Sequence, residues 1–166
     1  ALALLFCTRL ASFQSLARGL DSDPVVADRE AKSTSHETTF DEDTNDPAVL
    51  EPIIHGFLET LAHELRLEGL AAGSFTLKLK DSHFRITTRQ RKFATPLNYD
   101  PDMWPEIRQA LEDLLQPRLR YRLVGLGLSD LVSAPEPLFD RRQRDAVAAL
   151  DRLIERHGTG VVRLGA

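Results

Sequence analysis

The segment SFTLKLKDSHFRITTRQRKF, residues 74–93, constrains the fold of this chain more than any other. Phe75, Leu77 and Leu79 alternate with Thr76, Lys78 and Lys80, the period of a strand with one buried face. Asp81, Ser82 and His83 read as turn residues. Phe84 and Ile86 then alternate with Arg85, Thr87, Arg89 and Arg91. The expectation is a β-hairpin with Phe75, Leu77, Phe84 and Ile86 on an apolar face and the cations on the other. Lys78, Lys80, Arg85, Arg89, Arg91 and Lys92 are opposed within the hairpin only by Asp81. A face of that kind is either simply solvated or meets a polyanion. Mutual repulsion of so many like charges favours the polyanion.

Helical and extended signals alternate around the hairpin. AKSTSHETTF, residues 31–40, is dense in β-branched and hydroxyl residues and reads as a strand. Taken alone, it is an exposed edge strand kept soluble by its polar residues. Asp46 and Pro47 suit the start of a helix whose stripe is Leu50, Ile53, Ile54, Phe57, Leu58, Leu61 and Leu65, ended by Gly69. Asp100 and Pro101 repeat that start before Trp104, Ile107, Leu111, Leu114 and Leu115. RLRYRLVGLGLSDL is the next strand, and RRQRDAVAALDRLIERHG a last helix with Val147, Leu150, Leu153 and Ile154 inward. The fold class is therefore α+β. The order β-α-β-β-α-β predicts a four-stranded antiparallel sheet with two helices on one face, plus an N-terminal helix over 2–17, stopped by Gly19, and a C-terminal helix. The acidic run Asp41, Glu42, Asp43 reads as a solvated loop.

Composition narrows the function classes. The 166 residues are 42% hydrophobic and 28% charged, which suits one globular domain with an appendage. The net charge of −4 argues weakly against a nucleic-acid binder, but the cations are concentrated on the hairpin and at Arg118, Arg120 and Arg122. Cys7 is the single cysteine, so no intrachain disulfide forms; this fits a reducing cytosol, and a cytoplasmic location is expected. No apolar run is long enough to span a bilayer, so no membrane partner is expected. ALALLFC reads as a fragment beginning inside a helix. The histidines lack zinc spacing, and GLGLSD lacks the third glycine and the helix of a dinucleotide fingerprint. No metal site is expected.

REAKSTSHETTF, FTLKLKDSHFRITTRQRKF, YRLVGLGLSDL and PLFD…ALDRLIERHG occur in that order. Together they resemble the C-terminal little-finger domain of Y-family lesion-bypass DNA polymerases. FCTRLASFQSLARGLDSDPV is similar to the end of the thumb and the linker before that domain. The resemblance implies four parts: a helical end of thumb at 1–23, a linker at 24–31, the little finger at 32–133, and a C-terminal extension with its helix at 134–166. It implies a sheet that lies in the major groove of duplex template–primer DNA during lesion bypass. Lys32, Ser33 and Ser35 match first-strand phosphate contacts, Thr87, Thr88 and Arg89 the hairpin contacts, and Arg122 the arginine of the last strand. Lys78, Lys80, Arg85 and Arg91 complete the candidate DNA-binding set.

The hydroxyls of the first strand then become phosphate donors, which position a duplex without reading its bases. Leu138 and Phe139 match the end of the family's clamp-binding pentapeptide, but Pro135 stands where the family has Gln. A polymerase core of palm, fingers and thumb is the implied partner, with a sliding clamp as a further candidate. The family holds its catalytic Mg2+ with palm carboxylates, and no palm motif occurs here; no catalytic residue and no cofactor is assigned to this chain, and it is expected to be inactive alone. Two other readings stand beside this one. One is a stand-alone nucleic-acid- or partner-binding paralogue without polymerase activity. The other is a small-ligand enzyme on the same fold, which lacks any convergent catalytic group.

Overall fold

The computed structural model describes residues 10–20, 32–134 and 141–158. The chain divides into two compact units, residues 1–30 and 31–166. In the first unit, α1 spans Leu10–Ala17. Gly19 at φ 72° ends it: the Gly19 N–H donates to the Leu16 carbonyl at 2.9 Å and the Leu20 N–H to Ser15 at 2.9 Å. A residue free to take positive φ is what this paired closure needs. The expected start of that helix at residue 2, and Cys7, lie outside the described residues.

The second unit contains β1 (Ser33–Thr44), α2 (Pro47–Leu67), β2 (Leu70–Asp81), β3 (Ile86–Leu97), α3 (Asp100–Leu114), β4 (Tyr121–Ser133) and α4 (Arg141–His157). The four strands form one antiparallel sheet, as expected, and their spatial order is β1-β4-β2-β3. One sheet face packs against α2 and α3. Phe75, Leu77 and Leu79 of β2 and Val124, Leu126 and Leu128 of β4 are almost wholly buried there with Leu50, Ile54, Leu58 and Leu61 of α2 and Met103, Ile107 and Leu111 of α3. Burial of each such side chain contributes about 1.5–3 kcal/mol.

Local chemistry sets the element ends. Asp46 caps α2, accepting from the Ala48 N–H at 2.9 Å, and Gly69 at φ 66° closes it. Asp100 does not repeat that role. The cap position of α3 is Tyr99, and Asp100 is buried in the first turn, where its carboxylate accepts from Arg66 at 3.4 Å. The acidic run 41–43 is strand rather than loop, because β1 continues past an irregularity after Thr39 to pair Thr44 with Tyr121. In α4, Leu150 and Ile154 are half-buried, but Leu153, expected inward, is 41% exposed; Val147 lies outside the residues whose side chains are described. The carboxylate of Asp151 joins α4 to α2. It accepts two hydrogen bonds from Arg66, at 2.8 and 2.9 Å, and lies 2.8 Å from Nδ1 of His63. Burial pushes the Asp151 carboxyl up, but the Arg66 and His63 hydrogen bonds and charges outweigh it and hold the group below its ordinary value.

Candidate nucleic-acid interface

The hairpin turn decides which side chains reach the uncovered sheet face. Asp81 and Arg85 close it: the Asp81 N–H donates to the Arg85 carbonyl and the Phe84 N–H to Asp81, both at 3.0 Å. The Asp81 carboxylate also takes the His83 and Arg85 amides, at 2.8 and 2.9 Å. The loop is therefore Ser82, His83 and Phe84, with Phe84 left-handed at φ 64°. This is the three-residue hairpin in which a turn is followed by one left-handed residue. It lies one residue later than the sequence reading placed it. In either placement a three-residue loop sets residues of like parity opposite one another, so Ile86 must share the face of Lys80 and not that of Leu77 and Leu79.

The expected basic face is corrected accordingly. Leu77 lies opposite Arg89 and Phe75 opposite Arg91, so both arginines are on the helix side of the sheet. There Arg91 pairs with Asp113 of α3, and Arg89 lies 3.9 Å from the same carboxylate. Thr87, opposite Leu79, shares that side. Ile86, expected in the core, lies opposite Lys80 and is 54% exposed; Phe84 is 64% exposed. Phe93, 6% exposed and 5.3 Å from the Phe75 ring, has the same phase as Arg89 and Arg91. Counting back from Phe93 by twos would have found the correct face.

The uncovered face is assembled from all four strands. β1 contributes Ser33, Ser35, Glu37 and Thr39, opposite Ser129, Gly127, Gly125 and Leu123 of β4. β2 contributes Thr76, Lys78 and Lys80, and β3 contributes Thr88, Gln90 and Lys92. Of the sequence-assigned residues, Ser33, Ser35, Lys78, Lys80 and Thr88 therefore share one surface. Lys32 is exposed just before β1. Arg85 lies outside the strands where the hairpin turn closes, and Arg122 sits at the irregularity that opens β4, its guanidinium 4.2 Å from the Phe84 ring centroid. Leu138 and Phe139 lie outside the described residues. Sequence reasoning counted Lys92 among the cations without assigning it a contact, and did not assign Glu37.

A groove runs between β1 and β2 over Gly125 and Gly127, lined by Ser33, Ser35, Glu37, Thr76 and Lys78. Its floor is glycine for a steric reason. A Cβ on Gly125 would stand 3.0 Å from the Glu37 Cβ, too close for either to stay in place, whereas one on Gly127 would make an ordinary 3.4 Å contact with the Ser35 Cβ and only fill the groove. Across that floor Lys78 donates to Glu37 at 2.7 Å. Lys78 is thus partly neutralised, while Lys80 and Lys92 have no ion pair among the described residues. The surface offers hydroxyl donors along one edge and ammonium groups along the other, with bare backbone between. That pattern suits a chain of phosphates rather than a small ligand. Among the described residues no group of three or more His, Cys, Asp or Glu could hold a metal ion, and no helix is long and apolar enough to cross a membrane.

The model of the impB/mucB/samB family C-terminal domain matches residues 31–146. DNA polymerase IV of Brucella melitensis is 32% identical over 157 residues, covering 90% of this chain and 35% of that protein. DNA polymerase IV of Caulobacter vibrioides is 35% identical, covering 90% of this chain and 38% of its own length. The chain thus spans little more than a third of the length of these relatives. Among solved structures, a Y-family DNA polymerase chimera superposes with a TM-score of 0.58 at 18% identity, covering 74% of this chain and 35% of that one. DinB from Sulfolobus solfataricus gives 0.54 at 17% identity, covering 81% and 38%.

Proposed function

The chain belongs to the impB/mucB/samB family of C-terminal domains, the little finger of Y-family polymerases of the DNA polymerase IV kind, and on that footing we propose that its uncovered sheet face grips the backbone of template–primer DNA during lesion bypass. One observation carries this reading: Ser33, Ser35, Lys80, Thr88 and Lys92, drawn from three strands, converge on the sheet face turned away from α2 and α3. Hydroxyls and ammonium groups at strand spacing donate to successive phosphates, and the glycine floor lets a backbone approach closely. Lys32, Arg85 and Arg122 extend the cationic rim. Arg89 and Arg91 leave the central set, because Asp113 holds them on the helix side.

The nucleotidyl transfer and its Mg2+ belong, in this proposal, to a polymerase core joined to the little finger. This chain with a primed template, deoxynucleotides and Mg2+ gives no extension. A sliding clamp binds weakly through Leu138 and Phe139, since Pro135 has no side-chain amide to offer. Calorimetry with a bacterial clamp checks this, and micromolar binding lost in Phe139→Ala would refute it.

The deciding experiment is fluorescence anisotropy with two unrelated duplexes over a range of salt concentrations. Binding is sequence-independent, and log K falls against log salt with a slope of about −0.9 per phosphate neutralised. Lys80→Ala flattens that slope by about 0.9 on both duplexes. An unchanged slope in Lys80→Ala, or a preference of more than about tenfold between the duplexes, refutes the reading.

A further inference from the structure

Phe84 occupies a conformation that bulky residues rarely take, at φ 64°. Glycine or asparagine would close the same turn with less strain. The aromatic ring does not compensate by packing inward, since the residue is 64% exposed. Arg122 lies over one face of the ring, 4.2 Å from its centroid. Ile86, 54% exposed, follows on the uncovered sheet face beside Lys80. The charged side chains next to this apolar tip are cations. Asp81 is 5% exposed and its carboxylate is taken by two backbone amides. The acids 41–43, near the end of β1, lie at the same end of the sheet but with β4 between, where Arg120 donates to the Asp43 carbonyl at 2.9 Å. Arg85, Arg122 and Lys80 remain next to Phe84. An exposed aromatic ring set among cations suits a ligand with a π-face and flanking anions, which is an unpaired nucleotide.

We propose that the β2–β3 tip is a seat for one unpaired nucleobase, which stacks on the face of Phe84 away from Arg122 with Ile86 at its edge. Arg122 fixes the ring from behind, and Arg85 meets the neighbouring phosphate. This rests on the reading of the sheet face as a DNA grip, and adds a single-stranded site at its end.

The test uses the whole chain and anisotropy with a blunt duplex, the same duplex with a short single-stranded extension, and the same extension made abasic. Wild type binds the base-bearing extension roughly fivefold or more tighter than the other two probes. Phe84→Gly suits the left-handed turn, so it folds with an unchanged or higher Tm. It loses the base-dependent preference and keeps blunt-duplex affinity. Phe84→Asn, also tolerant of positive φ, behaves the same way. A preference that survives both substitutions, or equal binding of base-bearing and abasic extensions by wild type, overturns the proposal. A base-dependent preference without salt-dependent binding of the blunt duplex would refute the duplex grip and leave the seat standing.

Discussion

β2 and β3 are the two arms of one hairpin, of equal length and with similar alternating sequences, yet they are held in the fold by different forces. β2 lies between two other strands, and Phe75, Leu77 and Leu79 are 0% exposed beneath the helices. β3 is an edge. Below it only Phe93 is buried, and the positions before it on the same side are Arg91, Arg89 and Thr87. Its middle is tied to α3 by the carboxylate of Asp113. An apolar strand is attached by burial, which is large and insensitive to salt; a strand attached by half-exposed ion pairs gains about 0–1 kcal/mol from each, and less as salt rises. The contrast also separates the helices. α2 is fastened to the sheet by a full apolar stripe, whereas the tie from α4 to α2 runs through Asp151. Edges and appendages can exchange charges with water or a ligand without opening the core.

The sharpest test of the contrast is Leu77→Ala on β2, which should cost about 2–5 kcal/mol in urea denaturation through lost burial and a cavity. A cost below 1 kcal/mol would mean that β2 is not held by its apolar face. Next comes Asp151→Asn, which removes the charge and one of the two acceptor oxygens that Arg66 and His63 share and costs about 1–3 kcal/mol, read as faster amide exchange in α4 with the sheet unaffected. The same carboxylate gives a pH dependence of definite sign. Its folded pKa lies below its ordinary 3.8, so its contribution is complete above about pH 4 and disappears as the pH falls from there through the folded value. In Asp151→Asn that acid-limb loss should be smaller than in wild type.

Arg91→Ala should cost less, about 0.2–1 kcal/mol, with the difference shrinking at high salt, and should leave the duplex salt slope unchanged. A slope flattened as much as in Lys80→Ala would show that Arg91 reaches DNA from the edge after all. Smallest is Ile86→Ala, within about 0.5 kcal/mol of wild type, because the side chain already faces water. A cost like that of Leu77→Ala would place Ile86 in the core, where the sequence alone had put it.

What could be read without coordinates was whatever repeats locally. The stripe of α2, the Asp46 cap, the glycine stops at 19 and 69, and the element order that admits a four-stranded antiparallel sheet all depend on neighbours a few residues apart. Lys78 and Lys80 were also placed correctly on the face away from the helices, because they stand in unbroken alternation with Phe75, Leu77 and Leu79; Ser33, Ser35 and Thr88 came from the resemblance alone, and alternation had set Thr88 in phase with Ile86 on the apolar side. The face of β3 was not legible in the same way. It hangs on whether the loop holds an odd or an even number of residues, and alternation on each side of the turn fits both. The backbone resolved it by putting a phenylalanine at positive φ, a choice that residue type argues against and that only the pairing of Asp81 with Arg85 enforces. Likewise Glu37 and Lys78 are far apart in sequence and meet only because Gly125 lies bare between their strands. Period and propensity belong to segments; which faces meet, and which cations are already taken, depends on register between strands, and register is a property of the assembled sheet.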